Sequence, residues 1–528
     1  MATADNAKDN SGTNLESGPQ NVKPLDTPWI LPRMRGNPPM ASSASSTSPA
    51  SAVLHTDSPL RDFSDRLSPM VVKELRQGLR SPLFIWLFII MHAALTVIVL
   101  LTATEGSRYT AGFFWFPVII TLVFLLPLRG MGALLDEKRL NTLDTLVLTK
   151  LSASRITFGK WVAIAAQILL LGLTVFPYMI MRYFAGAINV ALELRVLCHF
   201  LLMGCLLSAV TVGFSWIKIW LVRGVLVLGA GFLIGGMAVG MMEMMAYDSW
   251  MPEGKQELAV TALAWFLAAY IIYYLLDFAA AQIAPKAENR STMRRVVTLV
   301  VLGILVVLLI SIDYYVVTEM IAAVGLVIAI VAGIDAATEP TQHLSIITVP
   351  FVKRGWLGKC VGRLLYPGWH TGVNFMLVLG VMGWGCHFYG ERAGDFRFTS
   401  NYLVWMGKVC FGLWIVYAFL PRLKPTLVAL LIVLIVTQTL GYMFASAADQ
   451  WEFPALGVLD HFTPLAPMYE RNMDHLDDAS NPAVQALIFL SLLAWRARRE
   501  FAITRQIEAQ AQADLAEEKQ SQLEAAGA

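Results

Sequence analysis

The sequence predicts an all-α fold: a polytopic integral membrane protein of about twelve transmembrane helices, with both termini cytoplasmic. Three observations carry that prediction. The 528-residue chain is 56% hydrophobic and only 15% charged, whereas soluble domains carry about 25% charged residues. Apolar runs of about 20 residues, enough to cross a hydrocarbon core of about 30 Å, recur along it. Lys and Arg are dense in alternate connecting segments and sparse in those between. The net charge of +2 offers nothing to a nucleic-acid backbone, so no nucleic-acid partner is expected.

Residues 1–65 are rich in Ser, Ala, Pro, Asn and Asp, with the run ASSASSTSPASA. They bury too little apolar surface to offset ordering entropy and are expected to form a disordered cytoplasmic segment. The extreme N-terminus has no apolar core of a leader peptide, so the first span is expected to act as its own insertion signal. Around residues 68–80, Ser68 and Pro69 form a helix start. Val71, Val72, Leu75 and Leu79 then share one face, with Lys73, Glu74, Arg76 and Arg80 on the other. That pattern describes either a helix lying in the inner membrane interface or an ordinary basic flank that orients the first span.

Spans follow near 83–104, 112–134, 156–181, 194–216, 220–244 and 257–283. A second six-span set (domain 286–496) lies near 296–315, 318–335, 372–389, 402–420, 425–445 and 483–496. The tail 497–528 reads as a water-facing helix with a thin apolar stripe at Ile503, Ile507 and Leu515, expected to be solvated and partly frayed, with a docking helix as the alternative. With the N-terminus inside, 27 Lys and Arg fall in inner segments and 7 in outer ones. The outer seven are Arg108, Arg182, Arg195, Lys255, Arg392, Arg397 and Arg471. A bias near four to one requires an even number of spans.

Between the second and third spans stands LLDEKRLNTLDTLVLTKLSASRITFGKW. Leu140, Leu143, Leu146, Val147 and Leu151 lie toward one side, and Asp136, Glu137, Lys138, Arg139 and Asp144 elsewhere. Ser154 is placed to cap the next span. Such a helix is too polar for lipid and too apolar for water, so a neighbour must cover its leucines.

KELRQGLRSPLF followed one hairpin later by DEKRLNTLDTLVLTKLSASRITFGKW resembles the type-2 ABC exporter permeases. The resemblance covers about residues 68–285, the six-span domain 66–285. It rests on Glu137, Lys138, Thr142, Leu143, Asp144, Leu146, Thr149, Leu151, Ser152, Arg155, Gly159 and Lys160. It implies a connecting helix carrying Lys73, Glu74, Arg76 and Arg80. It also implies a coupling helix at 137–152 whose Glu137, Lys138, Arg139, Thr142, Leu143, Asp144, Leu146 and Leu151 meet a separate ABC ATPase subunit. Residues 286–528 carry no recognisable second coupling motif. Whether one chain or a pair with a second permease chain completes a pore stays open.

The chain has no Walker motif, since RGWLGKC has the wrong glycine spacing and Cys after Lys. ATP hydrolysis would belong to a partner; no catalytic, cofactor-binding or metal-binding residues are expected. Five scattered cysteines form no CxxC pair and read mostly as small buried hydrophobes. Ionisable residues within spans tend to face a bundle interior. Of His92, His199, Glu243, Asp277, Asp313, Glu319 and Lys408, the better candidates for an internal path are Asp277 and Lys408. A nearby inner-side cation could instead simply pair with Asp277. The acidic outer segment 446–482 reads as a translocated loop. The sequence therefore points to an exporter permease in the cytoplasmic (inner) membrane, with a non-transporting membrane scaffold derived from one as the alternative.

Overall fold

The computed structural model describes residues 69–105, 110–135, 152–184, 189–247, 255–285, 288–311, 315–342, 344–393, 397–421, 426–451 and 480–527. All regular structure among them is helical. The expected coupling residues Glu137, Lys138, Arg139, Thr142, Leu143, Asp144, Leu146 and Leu151 lie outside the described residues, as do the segment 1–65 and Asp313.

The amphipathic helix α1 (Pro69–Leu79) stops at a turn in which the Ser81 hydroxyl donates to the Gly78 carbonyl. That hydroxyl also accepts from the Phe84 amide, capping α2 (Pro82–Glu105). α3 (Thr110–Val118) continues through a π-helical turn, Ile119–Leu125, and a 3-10 turn, Pro127–Gly132. Pro127 has no amide to donate, so a regular ladder cannot pass it, and the Leu126 amide reaches five residues back to Thr121.

The expected third span, 156–181, is broken. α4 (Ala153–Leu173) ends at Thr174, and α5 (Phe176–Phe184) begins just before Pro177, which cannot bond to the carbonyl of Leu173. α4 starts from Ser152, not Ser154, and Ser152 holds it through its backbone carbonyl without a side-chain cap.

α6 (Val190–Gly213) is capped by the Asn189 side chain and forms the centre of the first half. α7 (Trp220–Tyr247) and α8 (Lys255–Ile283) complete it. The second half comprises α9 (Ser291–Ser311), α10 (Tyr315–Thr338), α11 (Ser345–Val352), α12 (Gly355–Leu365), α13 (Trp369–Ala393), α14 (Arg397–Phe419), α15 (Thr426–Trp451) and α16 (Ser480–Gly527).

Two large apolar cores result, with a small third at Ile217, Val222 and Val428, and α8 serves both large ones. Ile272, Leu275 and Leu276 pack with the first half, while Leu267, Tyr270 and Tyr274, a turn apart on another face, pack with the second. α10 and α13 cross where Gly372 meets Ala336: a Cβ on Gly372 would lie 1.9 Å from the Ala336 carbonyl oxygen.

Among the described residues, seven helical stretches, some of them interrupted as above, are long and apolar enough to cross a membrane: Pro82–Leu101, Phe113–Leu135, Ala153–Phe184, Val190–Gly213, Trp220–Ala238, Leu258–Ile283 and Ser291–Ser311. Shorter apolar helices at Val324–Thr338, Trp369–Met382, Met406–Phe419 and Thr426–Leu440 coincide with four more of the expected twelve. The twelfth stretch, 483–496, opens the long helix α16. Trp86, Ile90 and Phe232 turn outward at 63%, 60% and 78% exposure, a surface that only lipid or another apolar partner can cover. This is a multi-pass membrane protein.

The first part of the tail, as far as Ala511, is docked against the bundle, while the described side chains from 512 to 524 are exposed apart from half-buried Leu515. α16 runs unbroken to Gly527, and α11, α13 and α14 pack along it. Thr504, Glu508 and Ala511, one helical turn or slightly less apart, are buried. The expected stripe Ile503, Ile507, Leu515 is only partly the packed face, since Ile503 is exposed. Cys410 is buried, but Cys360 is exposed, unlike the small buried hydrophobe its apolar surroundings suggest.

Candidate functional site

One end of the bundle gathers α1, the start of α4, the α8–α9 turn, the end of α10, α11–α12 and the start of α13. α1 lies against α4. Gly159 makes room for it, because a Cβ there would sit 3.3 Å from Met70. The Lys160 ammonium, almost buried, pairs with Glu74 at 2.9 Å. Arg129 donates to the Gly78 carbonyl at 3.1 Å and to the Gln167 amide oxygen. Glu74 from the first motif and Gly159–Lys160 from the second therefore meet. Lys73, Arg76 and Arg80 remain on the exposed side of α1.

The two described flanks of segment 136–151 are tied down at this same end. The Leu134 amide donates to the Ser215 hydroxyl at 3.2 Å. Ser154 accepts from Arg290 at 3.2 Å. Arg290 belongs to an ionic network that joins the two halves. It pairs with Asp277 at 2.8 Å and with Glu288. Arg294 pairs with Asp335 at 3.1 Å, and lies 3.6 Å from Asp277 and 3.8 Å from Glu339. Arg295 pairs with Glu339 at 3.0 Å and donates to Thr371 and to the Leu364, Ala336 and Gly368 carbonyls. The Tyr274 hydroxyl donates to Asp335 at 2.8 Å.

Three adjacent or near-adjacent arginines can be buried here because each guanidinium presents five donors in a planar fork, and carboxylates and carbonyls take them up. Asp277 thus sits at the centre of a cation cluster. Lys408 is elsewhere, buried in α14 with its ammonium donating to Gln438 at 2.9 Å. The structure does not bring these two residues together.

Beside the network is a cavity of about 920 Å³. Arg290, Arg294, Asp335 and Glu339 line one side, and Trp495, Arg496, Arg498 and Arg499 of α16 line another, with Trp216, Phe278, Trp369 and Tyr417 between. α16 is held against this end by His370, whose ring nitrogen is 2.9 Å from the Thr504 hydroxyl. It is also held by Arg363, which donates to Glu508 at 2.8 Å. The Glu508 hydrogen bond moves the Arg363 pKa above its ordinary value.

At the opposite end Arg182 is not the exposed loop cation that the charge count makes it. It is 1% exposed, pairs with Glu193 at 2.6 Å and lies 4.2 Å over the Phe114 ring. His92 stacks on Tyr178, and the His199 ring bonds to the Arg195 carbonyl, both local packing arrangements. Among the described residues no three His, Cys, Asp or Glu are grouped to hold a metal.

Arg294, Arg295, Asp335 and Glu339 have no motif in the sequence; only the positive-inside count touched the two arginines. Asp335 and Glu339 were legible as two acids four residues apart at the end of an apolar run, a helix-face pair awaiting cations. No family model, curated protein or solved structure matches the chain.

Proposed function

We propose that the chain is the membrane-spanning permease subunit of an ATP-driven exporter, working with a separately encoded ATPase. In this reading it crosses the cytoplasmic membrane twelve times with both termini inside, and the basic end described above faces the cytoplasm. The observation that carries it is the meeting of the two motif segments. Glu74 on α1 and Lys160 on α4 form one clamp at the end of the bundle where the described flanks of segment 136–151 are held, and in this reading Glu137, Lys138, Arg139, Thr142, Leu143, Asp144, Leu146 and Leu151 of that segment dock the ATPase. A push on that segment would reach α4 directly and, through Ser154 and Arg290, the second half. The cavity of about 920 Å³ at the same end is large enough for a drug-sized cargo.

The test reverses Glu137 and Arg139 together. A like-charge contact across such an interface costs several kcal/mol, enough to lower ATPase capture by orders of magnitude. Expression and melting of the permease should be unchanged. Capture and permease-stimulated ATP hydrolysis in nanodiscs are read out against the candidate ATPase. Unchanged values in the reversed variant would remove the coupling role and leave the scaffold reading in its place. Cysteine labelling supplies the topology test: positions 140 and 510 should be reachable only from inside, and 475 only from outside.

A further inference from the structure

The second half carries an amphipathic helix that no motif announces. α12 is reached from α11 through Gly355 at φ +72°, a left-handed turn that glycine adopts without strain. One side of α12 is pressed into the protein by two more glycines. A Cβ on Gly358 would lie 2.0 Å from the Phe351 carbonyl oxygen, and one on Gly362 would lie 2.4 Å from the Tyr366 ring. The helix cannot roll, so its other side stays outward. That side presents Trp356 at 75%, Leu357 at 67% and Val361 at 48% exposure. At 100° per residue these span an arc of about 140°.

Water is a poor partner for such a face, and the flanking charge says what covers it. Lys353 and Arg354 are exposed at its start and Lys359 sits on its shoulder. No hydrogen bond or ion pair engages these three side chains among the described residues. The fourth cation, Arg363, is committed to Glu508. The height is right as well. The Leu364 and Leu365 carbonyls accept from Arg295 and Thr292 in the first two turns of α9, an apolar helix long enough to cross a membrane. That places α12 level with the end of a span, where phospholipid headgroups lie.

We propose that α12 is an interfacial helix that sinks Trp356, Leu357 and Val361 into the bilayer and holds anionic phospholipid through Lys353, Arg354 and Lys359. Apolar residues on one face and unpaired cations beside them are the two components of anionic-membrane recognition. The inference needs only that the bundle sits in a bilayer; it does not depend on the permease reading.

The test uses the full-length chain with its native cysteines replaced and one nitroxide at Leu357→Cys. It is read in nanodiscs of phosphatidylcholine, with and without phosphatidylglycerol. Ile90→Cys, on an outward face of α2, serves as the lipid standard, and Gln510→Cys, on the exposed part of α16, as the water standard. The Leu357 label should match Ile90 in its preference for oxygen over a water-soluble nickel chelate. Accessibility like that of Gln510 would overturn the proposal, and subsequent protection by an added protein would assign the face to that protein instead. A dye at the same position, titrated with quencher-bearing phosphatidylglycerol, reads the headgroup preference. Each cation should contribute about fivefold, so the K353Q/R354Q/K359Q variant should bind on the order of 100-fold more weakly. Equal binding of phosphatidylcholine and phosphatidylglycerol, or an unchanged triple variant, would remove the anionic-lipid claim.

Discussion

Removing Glu193 isolates a charge that has nowhere to go. Its partner Arg182 is 1% exposed and paired at 2.6 Å, and a guanidinium does not give up its proton under physiological conditions. Glu193→Ala therefore leaves a buried cation with only the Phe114 ring, 4.2 Å from its carbon, as compensation. Breaking a buried pair from one side costs about 3–5 kcal/mol. A desolvated cation–π contact is worth about 2 kcal/mol, but it is present in the wild type too, so it does not reduce the difference.

Glu193→Gln keeps an oxygen that can accept the Arg182 hydrogen bond but loses the charge. It should fall about halfway, near 2 kcal/mol, in line with charge-assisted bonds being roughly twice as strong as neutral ones. The double replacement Arg182→Met/Glu193→Leu removes both charges and fills the volume, and should return to within about 1 kcal/mol of wild type. Unfolding by denaturing detergent, followed by tryptophan fluorescence, would rank the four proteins. Glu193→Ala as stable as wild type, or a double variant no better than Glu193→Ala, would refute the buried-pair argument.

Exchanging Glu74 and Lys160 tests the α1 clamp. Glu74→Lys or Lys160→Glu alone should expose α1 to proteolysis, and the exchanged pair should restore protection, since the 2.9 Å contact is direct. Gly372→Ala should be strongly destabilising, above 3 kcal/mol by thermal unfolding, because the added carbon would sit 1.9 Å from a backbone oxygen that cannot rotate away. Glu508→Ala should release the distal part of α16, seen as faster amide exchange beyond Thr504, while Arg505→Ala on the exposed side should leave exchange unchanged.

Much of the architecture was readable one segment at a time. A helix that must satisfy its own backbone in lipid announces itself by about twenty apolar residues, and the apolar stretches from Pro82 to Ser311 did so from composition alone. The amphipathic pattern of α1 was equally local, and so was the availability of a cation for Asp277, since Arg290 and Arg294 stand only 13 and 17 positions away. The break at Thr174 was also written locally, in Pro177, yet an unbroken apolar run concealed it.

Other features depend on partners far apart in the chain. The docking of the tail as far as Ala511 was the less expected of its two readings, because Thr504 and Glu508 face His370 and Arg363, which lie 134 and 145 positions earlier. Arg182 was taken for a loop cation because it falls just past the expected span 156–181, whereas the helix continues to Phe184 and buries it against Glu193 of the next helix. The Arg294–Arg295–Asp335–Glu339 network joins α9, α10 and α13, and no single segment carries its logic. The sequence by itself determined which segments are apolar helices suited to lipid, because hydrophobic length is a property of contiguous residues. Only the tertiary structure decided which charges are neutralised, which face of α12 is left outward and where α16 lies. Burial is a property of neighbours, and the chain brings those neighbours from far along its length.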